Sequence, residues 1–391
     1  MRDRTAATGL ILRLANLAGG LAVAGYTGFM AARGVRLQWD FRVYLAAAQA
    51  AHAGLDPYVV ENLVRVSGRP VPLAFLYPPA ALLSFLALAA MPQPVALALW
   101  MSFKLLLLAG LVVLWKRVFV QDAGWFPLAL VAVFGSNAAA LWDLRSGNVA
   151  LVEAALIWSA LACFVAGRRR GFAALIVIAA VCKLAPALFL LLLLVPTSGQ
   201  RARPKLLAAA LAALGAIVFV PMWMGPAATW RGFLGASYGA FPVNEANPSA
   251  LGFLVERFGG VTPAVVALWL AYLAALALLL ARPLRRLARE RDACAWAIAA
   301  VAIYLAAHPR PMAYGWVLGG GALVALIRAA APGGLARAGL VALVLAQGVL
   351  WAFQQPWTGT LAGYMPVILL LALAALAAAA PRSGILQGDP A

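Results

Sequence analysis

Residues 171–200 read GFAALIVIAAVCKLAPALFLLLLLVPTSGQ, and Lys183 is the sole charge in the run. A lysine at the centre of a membrane span costs about 2.5–3.5 kcal/mol, while Leu184-Ala185-Pro186 interrupts any helix that follows it. The run therefore predicts two half-helices, 171–183 and 185–196, that meet in a tip at Lys183 near a membrane surface. Two uses of that tip are open. The ammonium either holds a phosphate as a point charge or snorkels to the interface.

The flanks orient the run. Arg168-Arg169-Arg170 precede it, Arg201, Arg203 and Lys205 follow it, and five arginines lie between Arg282 and Arg291. These clusters, with Arg328 and Arg337, fit on one side, which the positive-inside rule makes cytoplasmic. Lys183, the 225–260 stretch, His308 to Tyr314 and Gln354 to Trp357 then fall outside. Lys116 and Arg117 join the inner side only if the 79–142 region contains a re-entrant piece.

Composition agrees with this reading. Of 391 residues, 65% are hydrophobic and 11% charged, and the mean hydropathy is +0.94, which marks an all-α polytopic membrane protein. Apolar spans are expected at 9–31, 79–91, 94–115, 124–142, 148–166, 171–183, 185–196, 206–224, 261–281, 293–307, 312–330, 335–353 and 360–380. Three of them (79–91, 171–183 and 185–196) are too short to cross alone, so about 11–13 transmembrane helices are predicted. The whole of 1–391 forms one membrane domain, with a first outer loop at 32–78 and a second at 225–260. The net charge of +18 falls largely in short clusters between spans, as in loops facing anionic membrane lipids; it does not indicate a nucleic-acid partner. Cys163, Cys182 and Cys294 lie in apolar segments without metal-ligand spacing and read as small hydrophobes.

In the first outer loop, Phe41, Tyr44, Leu45, Ala48 and His52 recur at helical spacing, leaving Arg42 and Gln49 on other faces. An interfacial helix is expected there, ended by Gly54-Leu55-Asp56-Pro57. Asp40 either caps this helix or serves as an acid or base; Asp56 before Pro57 reads as a turn residue. The outer carboxylates are Asp40, Asp56, Glu61, Asp143, Glu153, Glu245 and Glu256. Glu153 lies one turn into an apolar span and is either a functional group or an interfacial polar residue. His308-Pro309-Arg310-Pro311 places an imidazole beside a guanidinium, suited to an anionic head group or simply solvated. With His52 and His308 the only histidines, no metal site is indicated.

Asp40-Phe41-x-Val43-Tyr44, Ala47-Ala48, Gly54-x-x-Pro57-Tyr58 and Leu76-Tyr77-Pro78-Pro79 together resemble the first outer loop of glycosyltransferase family 87, polyprenyl-phosphate-mannose-dependent mannosyltransferases of the GT-C superfamily. Gly147-Asn148-Val149, Cys182-Lys183-Leu184-Ala185-Pro186 and Asn247-Pro248-Ser249 resemble further stretches of that family. At 308–315 the chain departs from the family's Ser-Pro-x-x-Trp-x-His-Tyr, with Tyr314 standing in the histidine's place. The resemblance implies a GT-C fold with outer-face interfacial helices and Asp40 as catalytic base. It also implies a bacterial inner-membrane enzyme that moves a sugar, mannose first, from a polyprenyl-phosphate donor to a glycolipid or glycan at the outer face. Arg42, Tyr44, Tyr77, Asn148, Glu153, Lys183, Asn247, His308, Arg310 and Tyr314 are the expected substrate-binding residues, with no cofactor beyond the donor. A transporter or flippase of a lipid-linked sugar would also use a lysine between broken helices, and a non-catalytic assembly protein is a third class.

Overall fold

The computed structural model describes all residues except 1, 72, 225–231, 236–245, 331–333, 353–359 and 380–391. Apart from one isolated bridge, Thr197 to Gln200, the described chain is helices and their connections. Among the described residues five helical stretches are long and apolar enough to cross a membrane: 13–34, 93–119, 125–146, 263–290 and 313–330. Shorter apolar helices lie between them.

Helix α1 (Arg2–Gly34) is followed by α2 (Trp39–His52) and the short α3 (Val60–Ser67). The helix expected from the spacing in the first loop forms as α2. It begins after Gln38, whose φ of 35° turns the chain sharply, and Gly54 with φ 72° allows the turn beyond its end. Phe41, Tyr44, Leu45 and Ala48 are buried as the spacing predicts, but His52 is exposed. Asp40 is not the cap: Gln38 occupies that position and makes no side-chain capping bond.

The buried face of α2 rests in an aromatic nest. Phe41 stacks on Trp100 with ring centroids 5.0 Å apart, and Tyr44 lies 4.8 Å from Phe85. Each such burial contributes about 1.5–3 kcal/mol. This outer core, which includes Tyr58, Phe75 and Phe85, is separate from the main core of the helical bundle.

Residues 79–89 form a 3-10 segment running into one helical turn, α4 (Leu86–Ala89). This is the short apolar piece expected at 79–91. The chain continues through α5 (Gln93–Leu114, continued by a π turn to Phe119), α6 (Trp125–Ser146), α7 (Ala150–Val165) and α8 (Arg169–Cys182). The 3-10 segment Ala185–Leu194 and α9 (Pro204–Met224) continue it. At about 1.5 Å per residue for α8 and 2.0 Å for the 3-10 segment, each half-helix spans about 20 Å, short of a bilayer's hydrocarbon core. Lys183 stands at the break between the two half-helices, where the lone charge and Pro186 place it.

The remaining helices are α10 (Ala250–Phe258), α11 (Pro263–Glu290), α12 (Ala293–Ala307), a 3-10 turn Ala313–Gly319 leading into α13 (Gly320–Ala330), α14 (Gly334–Ala352) and α15 (Thr360–Ala379). Contacts separate the two ends of the bundle. At one end Arg169 donates to Thr197 Oγ1 (2.6 Å), Ser198 N meets Arg291 O (2.9 Å) and Arg328 pairs with Asp122. At the other, the segments around Asp40, Asn148, Lys183 and Tyr314 converge. Glu245 and Gln354 to Trp357 lie outside the described residues.

Candidate active site

The site begins with the docking of α2 on the end of α6. Gln38 N donates to Arg145 O (3.1 Å), and its buried side-chain amide reaches the Leu144 carbonyl. Gly147 (φ 75°) lets α6 end there; a Cβ on it would stand 2.5 Å from Gln38 Oε1 and 2.7 Å from Phe41 Cβ. That tight turn delivers Asn148 to Asp40.

Asn148 Nδ2 donates to Asp40 Oδ2 at 2.8 Å and lies 2.9 Å from Tyr44 Oη and 3.0 Å from Tyr77 Oη. The two tyrosine hydroxyls are 2.8 Å apart. Ala150 N donates to Asn148 Oδ1 (3.1 Å), which fixes the amide orientation. An amide has two N–H donors and here faces three acceptors, so Asn148 satisfies two of them at a time. Tyr77 is half-buried, whereas Tyr44 is buried. Tyr58 Oη holds the Tyr77 carbonyl at 2.7 Å, and Asp56 Oδ1 accepts from Tyr58 N at 2.9 Å, the turn role read from Asp56-Pro57.

Asp40 is 7% exposed. Burial pushes its carboxyl up to about 6; the Asn148 bond opposes this, Asp143 adds to it, and Lys104 and Lys183 oppose it. Such a group is ionised at neutral pH yet basic enough to accept a proton.

Glu153 and Lys183 form an ion pair at 3.1 Å, with side-chain exposures of 9% and 25%. The same ammonium lies 5.7 Å from the Tyr314 ring centroid. Glu153 is thus a partner of Lys183, which accounts for a carboxylate inside an apolar span. His308 packs against Tyr304 (5.1 Å), and its Nδ1 accepts from Arg310 N at 2.9 Å. Burial, reinforced by Lys183, drives its pKa down to about 3, so the imidazole is neutral. His308 accordingly serves as an acceptor within its own turn.

Asn247 Nδ2 (3.2 Å) and Ser249 Oγ (2.9 Å) both donate to Pro309 O, while Ser249 caps α10 by accepting from Gly252 N. The Asn-Pro-Ser stretch therefore clips the 308–310 turn in place. Arg42 does not join Asp40. Its Nη2 donates to Arg36 O at 2.8 Å, and its side chain lines a cavity on another face of α2. Arg310 is half-buried beside Tyr314 and Tyr77 in the field of the site.

One contributor escaped the sequence reading. Lys104, in mid-helix on α5, is fully buried and paired with Asp143 Oδ2 at 2.6 Å, both side chains at 0% exposure. Its ammonium also meets the Asp143 carbonyl, which accepts from Gly147 N (3.0 Å) as well. Asp143 Oδ1 takes Leu151 N at 3.4 Å, and Trp100 Nε1 donates to Gly147 O at 2.9 Å. The pair thereby fixes both sides of the 147–148 turn. A lone lysine within the 94–115 span was the available signal, of the same kind that singled out Lys183.

The remaining carboxylates expected on the outer side stay apart. Glu61 is exposed on α3, and Glu256 accepts from Tyr364 Oη. No group of three or more His, Cys, Asp and Glu side chains is gathered among the described residues.

No curated protein and no solved structure matches the chain. The sequence profile described as glycosyltransferase family 87 matches residues 75–309. The matched span holds Tyr77, Lys104, Asp143, Asn148, Glu153, Lys183 and His308; it begins after Asp40, which enters through its bond to Asn148. With most of its length covered by that profile, the chain belongs to glycosyltransferase family 87.

Proposed function

We propose that this membrane glycosyltransferase moves a sugar, most simply mannose, from a polyprenyl phosphate to a hydroxyl of a glycolipid or glycan, at the outer face of a bacterial inner membrane. The observation that carries the reading is the Asp40–Asn148 contact at 2.8 Å beside Tyr44 and Tyr77. Asn148 holds Oδ2, and Oδ1 has no partner among the described residues.

In the reaction the acceptor O–H gives its proton to Asp40 as its oxygen attacks the anomeric carbon. The bond from that carbon to the phosphate oxygen breaks, and polyprenyl phosphate leaves with the bonding pair. A single displacement inverts the anomeric centre. Charge builds on the departing phosphate, where fixed positive charge lowers the barrier. Lys183 and Arg310 are the cations assigned to it, with the recessed Lys183 tip leaving Glu153 for the phosphate as the donor binds. The bundle takes the polyprenyl chain. The family assignment favours this chemistry over transport of a lipid-linked sugar.

The deciding experiment is Asp40→Asn in lipid-reconstituted protein supplied with labelled polyprenyl-phosphate mannose and an acceptor extract. Transfer is expected to fall by about 10²–10⁴-fold, the size of a general-base contribution, with donor binding retained. Undiminished transfer removes Asp40 from the chemistry.

A further inference from the structure

The face of α2 turned away from Asp40 lines a second cavity, of about 170 Å³. Its walls are α2 (Arg42, Gln49), the last turn of α3 with the residues after it (Val66, Arg69), and the turn before α5 with that helix's first residue (Met91, Gln93). Two guanidinium groups line it and no carboxylate does. Arg42 Nε is buried without a hydrogen-bond partner, an unmet donor at a group that already spends Nη2 on Arg36 O. Arg69 is steadied by Gln93 Oε1 at 3.3 Å, and Gln49 Nε2 donates to Ala89 O at 3.3 Å, which fixes two of the walls.

Uncompensated positive charge around a partly open recess, with a buried donor left open, calls for an anion. Two planar forks fit phosphate oxygens better than a single carboxylate. On the reading of α2 as an interfacial helix, the cavity beside it falls where lipid phosphates concentrate. Leu45, Val66, Val71 and Met91 give it an apolar lining that suits the carbons next to such a phosphate.

We propose that this cavity binds the phosphate of an anionic lipid head group, separately from the donor site. The inference does not depend on Asp40 being the base, because the cavity occupies another face of α2. A head group there braces the turns at 66–71 and 91–93 against the helix that carries Asp40.

The test uses the full chain in nanodiscs containing phosphatidylglycerol and phosphatidylcholine, with no glycosyl donor, and counts co-purifying lipid by native mass spectrometry. Wild-type protein is expected to retain phosphatidylglycerol preferentially, and Arg42→Gln/Arg69→Gln to lose at least tenfold of that retention. Arg65→Gln, on an exposed position of α3 outside the cavity, is expected to retain it. Arg42→Lys/Arg69→Lys keeps the charge but loses the forks, so it provides an intermediate retention and a reading if the glutamine variant fails to fold. Displacement by glycerol 1-phosphate assigns the site to the phosphate alone; retention against it assigns the site to the phosphate with its lipid. Equal retention of the two lipids, or of phosphatidylglycerol by wild type and the folded double variant, overturns the proposal.

Discussion

Two lysine–carboxylate pairs stand behind the same site and have opposite settings. Lys104 and Asp143 are sealed, at 0% exposure each and 2.6 Å apart, and bond further to backbone on either side of the 147–148 turn, at Asp143 O and Leu151 N. Lys183 and Glu153 are looser, at 25% and 9% exposure and 3.1 Å. A sealed ion pair whose charges are bonded to backbone is a scaffold. A partly open one, on a helix break, is able to exchange its partner for a ligand. On the function proposed above, identical chemistry serves position in one case and binding in the other, and exposure separates them.

The largest effect is expected from breaking the sealed pair. Lys104→Met leaves a carboxylate buried and unpaired, which costs about 3–5 kcal/mol, and thermal unfolding in detergent will report it. Lys104→Met/Asp143→Leu removes both charges and is expected to regain most of the lost stability. A single variant that melts at the wild-type temperature would show that the pair carries no structural load.

The turn that links the sealed pair to Asn148 comes next. Gly147→Ala meets a φ of 75° and a Cβ within 2.7 Å of both Gln38 and Phe41 atoms. Moving Asn148 by about 1 Å is expected to lower kcat by about 10²-fold, with donor KM nearly unchanged. An equal fall in donor affinity would place the turn in the donor pocket instead.

The open pair should respond differently. Lys183→Ala removes a charge-assisted contact to phosphate and is expected to raise donor KM by about tenfold, while the melting temperature moves less than for Lys104→Met. Unchanged donor KM together with unchanged turnover would make the Glu153 pair a second scaffold and erase the contrast.

Much of this was legible in sequence wherever a charge interrupts an apolar run or a turn residue has one conformational use. Lys183, Glu153, the interfacial helix and the Asp56-Pro57 turn all announce themselves in that way, and the arginine clusters sort the carboxylates by side. The partner choices were not legible. Arg42 and Asp40 are two residues apart, and helical geometry sends them to different faces. Asn247 and His308 carry polar groups that sequence assigns to a ligand, yet both are used on the backbone of the 308–310 turn. The meeting of Lys104 with Asp143 joins two helices at a separation no local pattern encodes.

The smallest effect is also the most direct reading of Asp40. Its carboxyl sits at about 6 because burial outweighs the Asn148 bond, and Asp143 is opposed by Lys104 and Lys183. A general base works deprotonated, so kcat/KM for transfer should fall as pH drops through about 6 and level off above it. Asn148→Ala deletes a bond that favours the ionised form, so the acid limb should move to higher pH while activity well above it survives in part. Tyr44, Tyr77 and Tyr314 also face Asp40, but as neutral phenols they leave the direction of that movement unchanged. If the limb stays in place in Asn148→Ala, the titrating group is not Asp40. The proton then leaves through another residue, and the sealed pair would be positioning something other than the base.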